Sequence, residues 1–183
     1  MNICIFCSAN DVAEDYTAAA KELATLIAEG GHALVWGGSN KGTMKVIADA
    51  AQDAGGKIVG VSVEMLKGAA RPDADEMIIT ANLGERKAML LERSDALVVL
   101  PGGIGTLDEV TEILELKKHH MHEKPVVFLS TDGFYAGLKT QLERMEAENF
   151  LTRPLSELAF FADTPEEVMR YIATYGACCP RGR

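Results

Sequence analysis

The segment ALVVLPGGIGT, residues 96–106, combines an apolar run, a glycine-rich turn and the first residue of an amphipathic stretch. The run Ala96–Leu100 predicts a strand buried on both faces, because such strands are continuously rather than alternately hydrophobic. A helix is predicted to follow over Thr106–His120. The segment ALVWGGSNKGT, residues 33–43, has the same order of features. A strand that passes through a glycine turn into a helix is typical of proteins built on a parallel sheet.

Short apolar runs alternate with longer amphipathic stretches along the whole chain. The predicted strands are Asn2–Cys7, Ala33–Trp36, Lys57–Val63, Glu76–Thr80, Ala96–Leu100, Pro125–Leu129 and Leu158–Phe161. The predicted helices are Asp15–Glu29, Thr43–Ala54, Gly84–Ser94, Thr106–His120, Phe134–Glu148 and Thr164–Tyr175. This alternation predicts an α/β protein with a single-domain, doubly wound Rossmann-like fold and a mainly parallel sheet of about seven strands. The domain is expected to span residues 1–176, followed by a flexible tail over residues 177–183.

The composition indicates an acidic globular protein. Its 183 residues carry a formal net charge of −9, and the pI is about 4.9. Such a surface repels a polyphosphate strand, so nucleic acid is not an expected partner. No apolar run approaches the roughly 18–20 residues that span a bilayer, and the opening Met1–Ala9 lacks the basic residues of a signal peptide. We therefore expect a soluble, cytoplasmic protein with no membrane partner.

Cysteine and histidine spacing gives little support for a metal site. Cys4 and Cys7 form a C-x-x-C motif, which is compatible with metal or redox chemistry. Residues three apart on a strand face opposite sides of the sheet, and no second C-x-x-C is placed to complete a zinc site. His119, His120 and His122 lie at a predicted helix end without a metal-binding spacing. We expect neither a metal nor a cofactor.

Two glycine-rich turns are the first candidates for a binding site, because ligands of open parallel sheets bind beyond the carboxyl ends of the strands. The turn residues that could contact a ligand are Gly37, Gly38, Gly102, Gly103, Ile104, Gly105 and Thr106. Glycines let the backbone approach an anion, and a helix that begins there presents free N–H groups and a partial positive charge. Neither turn has the spacing of a P-loop or of a dinucleotide-binding turn. Each could be only a tight connection, but two in one small domain favour a phosphate site.

Charged residues near the second turn are candidates for chemistry. Glu109 lies about one helical turn beyond Thr106, and Glu112 follows on the same face. Thr106 and Glu109 also fit a capping box, which would need no catalytic role. Arg86 and Lys87 open an earlier predicted helix, where such residues are ordinarily solvated. From the residues alone, both alternatives stay open.

The stretches Glu85–Lys87, Ser94–Ala96 and Pro101–Glu109 together resemble the signature of the LONELY GUY family. Its members are phosphoribohydrolases that release free cytokinins from their nucleoside 5′-monophosphates, and the family has often been labelled "possible lysine decarboxylase". The resemblance extends from Met1 to about Leu151. The sequence departs from the family pattern mainly around the positions for the base and the ribose, rather than in the phosphate turn.

The resemblance implies a Rossmann-like fold, a homodimer and an active site near the dimer interface. It assigns the catalytic positions to Arg86 and Glu109, and nucleotide-binding positions to Lys87 and Gly103–Thr106. The predicted substrate-binding set is completed by Ser8, Gly37, Gly38, Gly102 and Glu112.

The expected activity is hydrolysis of the N-glycosidic bond of AMP or a cytokinin ribotide, giving free base and ribose 5-phosphate. Cleavage through an oxocarbenium-like sugar needs negative charge near the anomeric carbon and an activated water. Glu109 would supply both, while Arg86 would anchor phosphate or ribose and keep Glu109 ionised. The alternative is a non-hydrolytic carrier of a phosphorylated nucleotide or pterin cofactor. A pyridoxal phosphate decarboxylase is disfavoured, because no lysine is an evident Schiff-base candidate.

Overall fold

The computed structural model describes residues 1–178, which form seven strands and seven α-helices. The strands are β1 (Asn2–Phe6), β2 (Ala33–Trp36), β3 (Ile58–Val63), β4 (Glu76–Thr80), β5 (Ala96–Val99), β6 (Val126–Leu129) and β7 (Phe160–Ala162). The helices are α1 (Glu14–Glu29), α2 (Gly42–Asp53), α3 (Leu83–Glu92), α4 (Ile104–Lys118), α5 (Ala136–Ala147), α6 (Leu155–Leu158) and α7 (Pro165–Cys178). Two short 3₁₀ helices, Glu64–Ala69 and Thr131–Gly133, lie between them.

The seven strands form one entirely parallel sheet in the order β4-β3-β2-β1-β5-β6-β7. Strands β1 to β4 are added on one side of the sheet and β5 to β7 on the other, so the order reverses between β1 and β5. The register there pairs Ile3 with both Leu34 and Ala96. The predicted doubly wound α/β fold is confirmed.

Helices cover both faces of the sheet, because successive strand residues point into two separate apolar clusters. Ile3 and Ile5 pack on the face covered by α1, α2 and α7. Cys4 and Phe6 pack on the opposite face, which α3, α4, α5 and α6 cover. Burial on both faces explains the continuous hydrophobicity of the strands. It also places the two helices that carry the candidate catalytic residues on the same face.

The structure departs from the predicted elements most clearly in two segments. The last strand begins later than predicted, at Phe160, because Leu155–Leu158 forms the short helix α6 after Pro154. The 3₁₀ helix Glu64–Ala69 has no counterpart among the predictions. It contains no buried residue, so it has no hydrophobic periodicity that could reveal it.

The end of the chain is described in part. Ala177 and Cys178, which belong to the predicted tail, continue helix α7. Residues 179–183 of that tail lie outside the described part of the chain. Within residues 1–178, no helix combines the length and the hydrophobicity that crossing a bilayer requires.

Candidate active site

The candidate site lies where the strand order reverses. Strand β1 ends at Phe6 and β5 ends at Val99, and the two strands are direct neighbours. Ser8 follows β1, and the glycine turn that opens α4 follows β5. In doubly wound sheets this crevice is the usual place for a ligand.

A buried ion pair joins α3 to α4 at the carboxyl ends of the strands. The Nη1 atom of Arg86 donates to Oε1 of Glu109 at 2.6 Å, and the two side chains are only 9% and 8% exposed. The guanidinium also donates from Nε to the Val61 carbonyl at 2.9 Å and from Nη2 to the Gly37 carbonyl at 3.3 Å. Arg86 is therefore held by β3, by the turn after β2 and by α4. The predicted partnership of Arg86 and Glu109 has a definite geometry.

Burial raises the pKa of the Glu109 carboxyl above its ordinary value of 4.5, and the charge and hydrogen bond of Arg86 oppose this rise without cancelling it. The expectation that Arg86 simply keeps the acid ionised is therefore incomplete, because desolvation is the larger effect. A carboxyl with a raised pKa binds a proton more readily and is a better general base.

We expect the Glu109 carboxyl to titrate with a midpoint above 4.5 in the substrate-free protein, because desolvation outweighs the help from Arg86. Carboxyl-¹³C glutamate labelling and NMR would measure the midpoint, and the resonance lost in Glu109→Gln would identify the group. A Glu109 midpoint at or below 4.5 would show that burial does not raise the pKa of this carboxyl above its ordinary value.

The N-terminus of α4 is open to solvent. Gly103, Ile104 and Gly105 are exposed, and a Cβ added at Gly103 or Gly105 would meet no atom within 4 Å. No side chain caps this helix, whose N-cap residue is Gly103. Its first N–H groups are therefore available to an anion.

The capping-box alternative for Thr106 and Glu109 is wrong. Helix α4 begins at Ile104, so Thr106 lies inside the first turn rather than at the cap. The Glu109 carboxylate accepts from Arg86 instead of from a backbone N–H at the helix start. The acid is thus free of any capping role.

Lys87 forms a second link between the same helices, next to the buried pair. Its Nζ lies 3.0 Å from Oδ2 of Asp108 and 2.5 Å from Oε2 of Glu112. The hydrogen bond to Glu112 is the main cause of the raised pKa of Lys87. The contact of Asp108 with Lys87 was not predicted from the sequence, although the position of Asp108 next to Glu109 could have indicated it. Glu112 thus contacts Lys87. The contacts of these two residues with a ligand stay predictions.

The turn before α4 is supported from inside the protein. A Cβ at Gly102 would lie 2.3 Å from Oγ1 of Thr106, so the turn needs glycine there. The hydroxyl of Tyr135 donates to the Leu100 carbonyl at 2.7 Å, just before the turn. Burial raises the pKa of Tyr135, so this donor keeps its proton. Tyr135 is a supporting residue that its sequence position alone does not reveal.

The remaining predicted ligand residues differ in exposure. Ser8 is partly exposed, its hydroxyl accepts from the Asn10 N–H at 3.0 Å, and its carbonyl accepts from the Met44 N–H at 3.2 Å. Gly37 and Gly38 are both buried. Gly38 has a φ of 74°, which favours glycine.

The cysteine and histidine motifs noted in the sequence occupy ordinary structural positions. Cys4 and Cys7 are free, buried thiols in opposite apolar clusters, and burial raises the pKa of both. His119 and His120 are exposed, whereas His122 is buried and bonds to the Ile113 carbonyl at 3.0 Å. In the described part of the chain, no three His, Cys, Asp or Glu side chains are grouped to hold a metal.

These features define an α/β protein of the doubly wound class, with an open helix N-terminus beside a buried arginine–glutamate pair. The family described as "Possible lysine decarboxylase" matches residues 44–172. A cytokinin riboside 5′-monophosphate phosphoribohydrolase of Mycobacterium tuberculosis is 34% identical over 180 residues, which is 97% of this chain and 93% of the relative. One from Arabidopsis thaliana is 30% identical over 98% of this chain and 85% of its own length. The chain belongs to this family, the LONELY GUY family.

Solved structures of similar fold include cofactor-binding proteins. The Moco carrier protein of Chlamydomonas reinhardtii superposes with a TM-score of 0.73 at 27% identity, over 97% of this chain and 98% of its own. The molybdenum cofactor binding protein of Rippkaea orientalis gives a TM-score of 0.74 at 24% identity, over 94% and 95% of the two chains. The second similarity shows the shared fold.

Proposed function

We propose that this protein hydrolyses the N-glycosidic bond of a purine-type nucleoside 5′-monophosphate, AMP or a cytokinin ribotide, to free base and ribose 5-phosphate. The observation that carries the proposal is the buried contact of 2.6 Å between Arg86 and Glu109 at the strand-order reversal. Relatives at 34% and 30% identity that are named phosphoribohydrolases support it.

The phosphate is proposed to bind at the N-terminus of α4. Exposed glycines at Gly103 and Gly105 let the phosphate oxygens reach the first N–H groups, where the helix dipole also favours negative charge. The net charge of −9 does not prevent this, because the attraction is local. Phosphate binding would hold the ribose over the pair, so remote binding energy serves the reacting bond.

Glu109 is proposed to act on the sugar and the water. Its carboxylate would stabilise positive charge at the anomeric carbon and accept a proton from the attacking water. The water oxygen forms the new bond to that carbon, and the electrons of the broken C–N bond leave with the base, which takes up a proton. The raised pKa of Glu109 favours this proton transfer.

Arg86 is proposed to bind an oxygen of the substrate as well as Glu109. The three hydrogen bonds of the guanidinium use Nε, Nη1 and Nη2 once each. Because each terminal nitrogen carries two hydrogens, Nη1 and Nη2 each keep one further N–H for ribose or phosphate.

The family label of lysine decarboxylase is not the activity we propose. A lysine that forms a Schiff base needs a lowered pKa, so that its amine is unprotonated. Lys87, which lies beside the pair, has the opposite arrangement, because Glu112 and, to a smaller extent, Asp108 raise its pKa.

The test is a small panel of nucleoside 5′-monophosphates assayed for free base by chromatography. We expect adenine from AMP in stoichiometric amounts with ribose 5-phosphate. A panel from which no base is released would contradict the proposal.

A carrier function is the second candidate, because a Moco carrier protein has the same fold at 27% identity. The same incubation separates the two functions. Binding of AMP or of a phosphorylated pterin without any product would favour the carrier.

We also propose a homodimer whose interface lies near the site. An exposed apolar side chain lies at the first position of each helix that carries a residue of the pair. Leu83 on α3 is 48% exposed, and Ile104 on α4 is 82% exposed. On the edge strand β4, Ile79 is 41% exposed. Sedimentation equilibrium would show a dimer, and a monomeric mass at assay concentrations would exclude it.

The buried, unpaired thiols of Cys4 and Cys7 fit the proposed cytoplasmic location, where thiols stay reduced.

A further inference from the structure

We propose that Gly37 is a positioning residue for Arg86: the absence of a side chain at position 37 creates the space in which the guanidinium meets Glu109. A Cβ built on Gly37 would lie 2.2 Å from Nη2 of Arg86. Real Cβ atoms do not approach another heavy atom so closely, so the observed position of the Arg86 guanidinium requires glycine at position 37. The backbone of Gly37 does not itself demand glycine, because its φ is not positive.

The Gly37 backbone has little freedom to move away from an added methyl group. The preceding Trp36 is fully buried, and its indole Nε1 donates to the Ser39 carbonyl at 3.3 Å across the turn. The following Gly38 accepts from the Arg71 N–H at 2.8 Å. The turn is thus fixed on both sides of Gly37.

Of the side chains around that methyl group, Arg86 is the one whose movement has a consequence. The thioether of Met44 would also be close, with Cε at 2.9 Å, but it is flexible and can turn aside. Arg86 would have to give up its bond to the Gly37 carbonyl and shift its contact with Glu109. Gly37 therefore acts through Arg86, a role that comes in addition to the substrate contact predicted for it.

The catalytic consequence rests on the proposed function, whereas the positioning itself does not. We expect Gly37→Ala to lower kcat/KM for AMP by about 10²-fold, the effect of a displacement of about 1 Å in a catalytic group. The pKa of the Glu109 carboxyl should be higher in this variant than in the wild type, because a displaced Arg86 lowers that pKa less effectively against the effect of burial. The ¹³C carboxyl measurement needs no substrate.

A matched control is Gly56→Ala. A Cβ there would also be crowded, at 2.6 Å from Cβ of Ala28, but Gly56 precedes β3 at the opposite end of the sheet. This variant should leave both the turnover and the Glu109 titration unchanged. The second control repeats Gly37→Ala in an Arg86→Ala background, where the Glu109 midpoint should not move further.

The outcomes separate the two proposals. A wild-type protein that releases no base overturns the proposed function, and the Glu109 titration still decides the role of Gly37. A Glu109 midpoint that is unchanged in Gly37→Ala, or that moves as far in the Arg86→Ala background, overturns the positioning role. Should Gly37→Ala fail to fold, the Gly37→Ala/Met44→Ala double variant removes the close contact with Met44. Any change in the Glu109 titration of that variant then reports the displacement of Arg86.

Discussion

Replacing Glu109 with glutamine is expected to lower kcat for base release by about 10²–10⁴-fold, the usual contribution of a general base. Glutamine has nearly the same shape and can still accept the hydrogen bond that Nη1 of Arg86 donates at 2.6 Å. It cannot take a proton from water or stabilise a positive sugar with a full charge. The assay is adenine release from AMP, followed over hours to detect residual turnover.

Glu115→Gln is the matched control for this substitution. Glu115 lies on the same helix, is exposed, and pairs with Lys118 and His119. We expect wild-type turnover from it and a melting temperature within a degree or so, as for other surface changes. If Glu109→Gln also keeps near-normal turnover, the buried acid has a structural role alone and the proposed mechanism is wrong.

Arg86→Ala is expected to remove activity and to destabilise the fold. It leaves the Glu109 carboxylate buried without its cation, a loss of about 3–5 kcal/mol in the free energy of unfolding when the acid stays ionised. For a chain of this size, that corresponds to a fall in Tm on the order of 6–20 °C. Circular dichroism during heating would measure it beside the adenine assay.

The pH dependence of this destabilisation has a definite sign. In the unfolded chain Glu109 ionises at its ordinary pKa, while in the folded variant the pKa is raised even further than by burial in the wild type. The loss of stability relative to the wild type is therefore small in acid, where the group is protonated in both folded proteins, and grows as pH rises from the folded wild-type pKa toward the higher pKa of the folded variant. Equal destabilisation of Arg86→Ala at all pH values would show that lost packing dominates.

Arg93→Ala supplies the control for Arg86→Ala. Arg93 is the residue that ends the same helix, and it forms an exposed ion pair with Glu76. Exposed pairs contribute about 0–1 kcal/mol, so this variant should unfold near the wild-type temperature. Full activity is expected as well.

The fold was predictable because its determinants are local in sequence. Each buried strand is an uninterrupted apolar run, as in Ala96–Leu100, and the glycine turns mark where strands pass into helices. The elements that were not predicted lack such a pattern. Leu155–Leu158 is a helix of four residues, too short to show a helical period, and Glu64–Ala69 buries none of its side chains.

The candidate site was only partly predictable, because its geometry depends on contacts between distant segments. The resemblance named Arg86 and Glu109, but nothing in the chain order shows that the Val61 and Gly37 carbonyls hold the guanidinium. The raised pKa of Glu109 also depends on burial, which a helix-start position does not reveal. Exposure of the α4 N-terminus, by contrast, follows directly from Gly103 and Gly105.

The pairing of Arg86 with Glu109 has a consequence for how this protein acquires activity. Arg86 follows the strand at one outer edge of the sheet, whereas Glu109 follows the first strand added on the other side of β1. Neither half of the chain can assemble the pair by itself, so a polypeptide that ends or is cut between Arg86 and Glu109 lacks the proposed catalytic pair until both halves have docked across β1. Turnover of the nucleotide would therefore report on the docking of these two parts of the sheet against β1.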